Sequence, residues 1–410
     1  MKKLLLSATL LATTIATAQE TVNISMGAGY KDEVYVNLEN VTENTYEAAS
    51  WDIAFLRNDP QNIGIRVNDG IGIQVYEAAN TPAGFNTIDI ANEASWTPLY
   101  NDDTNWDNGA FMQGSATFGW GEYNPVTHHV EGTIVFVLKF ADGTYVKFLN
   151  EEYFGGYTFK YATWNGTAWV GETTETVENT SNPDNRYNYY SIQNNEEVVA
   201  EPAVDAWDFV FTKYSTFLDP PGSYYIVTGV LHNPTVTVAQ NEETAGPGDP
   251  DDQMYLEEIN TIGYDWKSFN GTDYDVNSDL AYYVKRADNS VYRLVFTEFE
   301  GATTGDLTFE FENVSEQLGF ETIAESGSFG IYPNPTVNGE VTLVYDLATT
   351  SAKNTVEIYA INGTKVLSEA LTSQEGFYTK TLDVSALQSG VYVVHFISGN
   401  NSISKKLIVK

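Results

Sequence analysis

From Gln19 to about Val314, apolar and aromatic residues recur at every second position in short runs broken by Gly, Asn, Asp and Pro. Such a chain buries one face of an extended strand and wets the other, and it cannot lay a continuous apolar stripe along a helix. The fold class this predicts is all-β and antiparallel. The run 133–140, the turn Ala141-Asp142-Gly143 and the run 144–148 read as a hairpin, because Asp-Gly accepts the positive φ of a tight turn. Residues 282–286, Ala287-Asp288-Asn289-Ser290 and 291–296 repeat the device.

The 410 residues allow two to four domains of roughly 100–200 residues each. Fifty-six acidic against 20 basic residues give a formal charge of −36, which repels nucleic-acid phosphates and anionic lipid headgroups. The absence of cysteine removes disulfides, thiolate nucleophiles, Cys-bound zinc and iron–sulfur clusters. The acid excess lies in the body: residues 330–410 hold six lysines and six carboxylates. That asymmetry predicts two separately built units joined near 321–329. Met1-Lys2-Lys3, the apolar stretch 4–15 and Ala16-Thr17-Ala18 form a signal peptide ending before Gln19. No cysteine follows to take a lipid, and no later run reaches the roughly 20 apolar residues of a membrane helix, so an exported chain without a transmembrane segment is expected.

The body reads as an internal duplication. Trp51-Asp52-Ile53-Ala54-Phe55 matches Trp207-Asp208-Phe209-Val210-Phe211; Lys139-Phe140-Ala141-Asp142 matches Lys285-Arg286-Ala287-Asp288; Gly155-Gly156-Tyr157-Thr158-Phe159 matches Gly305-Asp306-Leu307-Thr308-Phe309. The order is the same in both halves, so the expected organisation is one β unit over 19–169, a polar linker over 170–186, a second copy over 187–320 with an exposed insertion at 244–252, and the terminal unit from 330.

The Trp-Asp-Ile-Ala-Phe block, Phe118-Gly119-Trp120-Gly121-Glu122-Tyr123 leading to Thr127-His128, Trp207-Asp208 to Tyr214 and Val227-Thr228-Gly229-Val230-Leu231 resemble the HmuY-like family of secreted Bacteroidetes proteins. The resemblance implies an all-β protein holding haem iron between His or Met side chains; the lipid anchor usual in that family is missing and the unit is doubled. Ile331-Tyr332-Pro333-Asn334-Pro335, Gly339, Thr355 to Tyr359, Asn362-Gly363, Leu382 to Leu387, Gly390-Val391-Tyr392 and Lys405-Lys406-Leu407 resemble the type A sorting domain of the type IX secretion system. That likeness implies a small Ig-like β-sandwich recognised by the outer-membrane translocon and removed by a sorting protease, the body then being released or attached to the cell surface. The residues agree: Asn-Pro pairs open turns, Asn-Gly closes hairpins, and alternating Val, Tyr and Ile strands stack as two sheets.

Axial haem ligands can come from any two loops, so His128, His129, His232, Met112 and Met254 are the candidates, with Trp120 and Tyr123 as flat walls. His128 and His129 are adjacent, which on a strand sends them to opposite faces. Trp51 and Trp207 hold matching positions and read as packing anchors. The Asn/Asp clusters 101–108 and 270–275 could cage Ca²⁺, though neither follows the twelve-residue calcium loop. The sequence has no zinc-protease helix, nucleophile elbow or phosphate loop, and the HmuY-like resemblance implies non-catalytic binding of haem or another small hydrophobic ligand. The alternative is a structural or adhesive surface protein without a haem site, stabilised by Ca²⁺.

Overall fold

The computed structural model describes residues 19–57, 62–244, 246–315, 321–323, 327–337, 339–347, 354–360, 363–398 and 401–410. The expected signal peptide, Ala245 of the insertion, residues 324–326 of the join and Asn362 of the terminal hairpin lie outside them. The described chain is β-strand joined by turns and short 3-10 helices, in two compact units: a body built from residues up to 248 and 253–312, and a second unit of Asp249–Asp252 and the C-terminal stretch from Asn313 onward.

Among the described residues, two large cores fill the body, with smaller apolar clusters beside them. The first lies between the sheet of Ile53–Leu56, Ile65–Val67, Tyr187–Ser191 and Glu196–Val198 and a larger sheet in which Gln74–Ala79, Val135–Lys139, Tyr145–Tyr153, Gly156–Trp164 and Trp169–Glu178 run side by side. Phe55, Phe111, Phe136, Phe148 and Phe159 interlock there with no exposed surface, each worth about 1.5–3 kcal/mol of burial. The second core lies between the sheet of Asp32–Asn37, Thr42–Glu47, Phe209–Leu218 and Ser223–His232 and that of Glu20–Ser25, Thr237–Glu242, Leu280–Lys285, Val291–Phe299 and Asp306–Asn313.

The cores cut across the segments expected from sequence. Strands Glu20–Ser25, Asp32–Asn37 and Thr42–Glu47, from the start of the chain, complete the lobe otherwise made of residues after 204. Strands Trp169–Glu178, Tyr187–Ser191 and Glu196–Val198 complete the lobe of residues 48–164. The stretch 170–186 expected as a linker is therefore mainly strand: its Thr and Val suit a pleated edge, and its Glu side chains face water there, as charges on edge strands do.

The same set of contacts recurs in both lobes. Asp52 N–H bonds to Tyr190 O at 2.9 Å, Asn68 N–H to Asp52 O at 2.9 Å, and Ile192 N–H to Asp52 Oδ2 at 2.7 Å. Asp208 N–H bonds to Val36 O at 2.7 Å, Asn233 N–H to Asp208 O at 2.8 Å, and Leu38 N–H to Asp208 Oδ2 at 2.7 Å. Asn68 Nδ2 donates to the carbonyls of Ala48 and Trp51, and Asn233 Nδ2 to those of Val204 and Trp207. Trp51 meets Tyr189 edge-on at 4.9 Å and Trp207 meets Tyr35 at 5.0 Å. The two tryptophans are packing anchors, and each packs on a tyrosine from the other half of the sequence.

In the C-terminal unit, one sheet orders Glu321–Ile323, Gly327–Val337, Glu340–Leu347 and Gly376–Asp383; the other orders Lys365–Leu371, Asn354–Ala360, Gly390–Ser398 and Asn401–Val409. Phe329, Leu343, Tyr345, Ile358, Leu382, Phe396 and Leu407 fill the space between.

Candidate functional site

The structure gathers three of the predicted ligand-binding residues at one corner of the first lobe. Short strands Gly121–Tyr123 and Val130–Gly132 pair, and the loop between them carries both histidines. Its geometry starts at Asn124, whose Oδ1 accepts the N–H of Val126 and whose carbonyl accepts that of His128. This turn places His128 at a φ of 64°, the left-handed region, so the pair does not alternate as strand residues would. His128 Nδ1 lies 2.6 Å from Tyr123 Oη, and His129 Nδ1 lies 2.9 Å from Glu152 Oε2. Each ring is thus held through Nδ1, the arrangement by which a carboxylate or phenol orients an imidazole so that Nε2 can serve as a ligand. The His129 ring stacks on Phe154 at 4.3 Å and 16°. Phe154, Val126 and Tyr123 are 66%, 86% and 48% exposed, an apolar rim beside the two rings.

The other candidates lie elsewhere. His232 is wholly buried, its Nδ1 3.0 Å from Asn233 O and its Nε2 2.8 Å from Glu258 O, so both ring nitrogens are engaged by backbone. Burial holds its pKa below the usual histidine value although both carbonyls pull the other way. Trp120 is a core residue whose Nε1 donates to Ile63 O, and Met112 packs against the same core. Met254 is 77% exposed, on the other lobe. The acidic cluster 101–108 is committed to the fold: Asn101 bonds Val67 and Ala110, Asp102 caps Thr104, Asp103 accepts from Thr216 and Asn260, and Asp107 pairs with Arg186. Asn270 and Asp275 bond each other across a turn. Among the described residues no three His, Asp or Glu side chains converge as for a metal ion.

Sequence reasoning passed over the buried charges. Asp52 and Asp208, the second residues of the repeated Trp-Asp pair, cap a loop from the other half; their recurrence was the available signal. Glu201 accepts from Tyr187 N–H and Tyr189 Oη and is pushed up to about 7 by burial. Lys267, over the rings of Trp266 and Phe299, is pushed down to about 7 by burial.

The predicted sorting residues lie on three strands and one turn of the C-terminal unit. Asn334 Nδ2 donates to Lys406 O and its Oδ1 accepts Ile408 N–H, both at 2.8 Å, clamping the Pro-Asn-Pro segment to the last strand. Pro333 and Pro335 both follow cis bonds, and Tyr332 stands exposed beside them. Gly363 turns at φ 83°, Gly390 opens the strand carrying Tyr392, and Tyr392 Oη donates to Gln388 O. Lys405 is buried over the Phe329 ring while Lys406 faces outward, as alternation on a strand requires.

Residues 330–410 match the secretion system C-terminal sorting domain. The chain is an exported protein that carries this sorting signal of the type IX secretion system. Among the described residues no helix is long and apolar enough to cross a membrane. No curated protein matches the chain. Similar solved structures include a Br derivative of BhCBM56, 18% identical over 22% of this chain and 98% of that one with a TM-score of 0.16. Dimeric latent PorU from Porphyromonas gingivalis is 12% identical over 68% of this chain and 31% of that one, with a TM-score of 0.19. None of these matches bears on the HmuY-like resemblance of the body.

Proposed function

We propose that the body is a non-catalytic binding module, delivered to the cell exterior by its sorting domain, that captures haem or a similar flat, iron-bearing apolar ligand at the His128–His129 corner. The observation that carries this reading is that each imidazole is held through Nδ1, which leaves Nε2 for a metal beside the exposed rings of Phe154 and Tyr123. Two neighbours on one loop fit capture from one face of a porphyrin, not the enclosure of its iron between opposed ligands. His129 is anchored by a carboxylate, which fixes the orientation of a ligating imidazole, and Phe154 offers a wall for the macrocycle.

A visible-range haem titration tests it. The wild-type body is expected to give a histidine-ligated Soret band that His128→Ala and His129→Ala weaken at least tenfold in apparent affinity, with Met254→Ala unchanged. An unchanged spectrum for the wild type, or equal binding by all variants, overturns the reading. The second reading, an adhesive surface protein, is favoured by the hairpin Phe209–Leu218 with Ser223–His232, whose tip exposes Phe217, Tyr224, Tyr225 and Ile226. Under that reading the haem titration is silent and substitution of these tip residues lowers attachment of the protein to cells.

A further inference from the structure

The repeated contacts allow one lobe to serve as a template for the other. In the second lobe, Arg286 leaves the turn 286–290 and its guanidinium lies against Asp208: Nε is 2.9 Å from Asp208 Oδ1 and Nη1 is 2.7 Å from Glu39 Oε2, with Asp288 Oδ2 4.0 Å away. Asp208 is almost fully buried there, and the planar fork neutralises it.

The first lobe has the same carboxylate and no such cation. Asp52 occupies the position of Asp208, by its hydrogen bonds and by its place in the Trp-Asp block. Phe140 stands where Arg286 does in the corresponding turn, Asp142 where Asp288 does, and Gln193 where Glu39 does, one residue beyond the amide that caps the carboxylate. Phe140 turns inward to the apolar core and supplies no cation at this turn. Beside the turn lies a cleft of roughly 310 Å³ whose lining includes Phe140, Asp142, Thr144, Val146, and the two residues that bond Asp52, Ile192 and Gln193. Asp52 is fully buried behind it and receives only neutral donors: Ile192 N–H at 2.7 Å, Gln193 N–H at 3.2 Å and Gln193 Nε2 at 3.3 Å. The last of these is a long bond from an exposed side chain, which an incoming donor can displace.

We propose that this cleft receives the arginine side chain of a polypeptide partner, its guanidinium taking the place at Asp52 that Arg286 takes at Asp208. Phe140 and Val146 suit the methylene stem, Asp142 supplies a second acceptor at the mouth, and no Lys or Arg lines the cleft to repel a cation. An ammonium lacks the planar fork that the buried Oδ1 accepts from the side in the other lobe, so arginine is favoured over lysine. The site is separate from the histidine corner, and its test uses no haem.

The test is calorimetric titration of the full chain with acetyl-arginine-amide and with acetyl-lysine-amide, with amide NMR shifts at Ile192 and Gln193 locating the contact. Binding at least tenfold tighter for the arginine probe, strengthened in Gln193→Glu, is expected. Phe140→Arg supplies the missing guanidinium internally and abolishes binding while raising the denaturation midpoint. Gln193→Arg, at an exposed position where folding is not at stake, abolishes it as well. No arginine binding by the wild type, equal binding of both probes, or undiminished binding by Gln193→Arg overturns the proposal.

Discussion

Glu201 shows how a single buried side chain makes stability depend on pH. Its two acceptor oxygens are matched to Tyr187 N–H and Tyr189 Oη, but the residue is almost wholly buried, and burial lifts its pKa from the ordinary 4.5 to about 7. The folded chain keeps this proton over a range in which the unfolded chain has already lost it. The stabilisation is complete below about pH 4.5 and disappears as pH rises through 7, a change on the order of 3 kcal/mol for a shift of this size. Glu33, Asp69, Asp52 and Asp208 are also raised by burial and act in the same direction. The contrast between wild type and Glu201→Gln isolates the single group. Urea midpoints of the variant are expected to fall less between pH 5 and 8 than those of the wild type, and parallel pH profiles would refute the assignment.

Among the elements, the hairpins Asp32–Asn37 with Thr42–Glu47 and Tyr187–Ser191 with Glu196–Val198 each belong to the sheet of the sequence-distant half. Each is held at its turn by one aspartate of a Trp-Asp pair. The two aspartates are not equal, because Asp208 has a charged partner in Arg286 and Asp52 has only neutral donors. Truncating Asp208 takes from the Arg286 guanidinium its one buried carboxylate partner and leaves it the exposed Glu39, at a cost of up to about 3–5 kcal/mol, whereas truncating Asp52 leaves unpaired amides, at about 1–3 kcal/mol. Asp208→Ala is therefore expected to lower the urea midpoint more than Asp52→Ala; the reverse order would show that the guanidinium is held by Glu39 alone. The Gly-rich turns were plain in the sequence, but the ownership of the hairpins was not. Alternation shows that a strand has a buried face and is silent on which neighbour it pairs with.

At the scale of the whole molecule, the neutral C-terminal unit and the acidic body each have their own core, so removing one leaves the other's apolar packing intact. A chain ended before Gly330 is expected to keep the far-ultraviolet spectrum and urea midpoint of the body and to accumulate inside the cell envelope instead of outside it. Normal export of that truncation, measured by immunoblot of the culture supernatant, would remove the sorting role from residues 330–410. Strand content and turn positions were legible because each depends on neighbours one to four positions apart, the division by charge because it is a count along the chain, and the sorting segment through the resemblance of its motifs to a known domain. His128, His129 and Tyr123 were singled out by residue type, and their short separation in sequence is what lets one strand and turn bring them together. The burial of His232 and Trp120, the exchange of strands between halves and the open cleft beside Asp52 depended on packing between residues tens to more than a hundred positions apart. There, long-range burial and hydrogen bonding decide which polar group meets water and which meets a partner, and no local pattern carries that information.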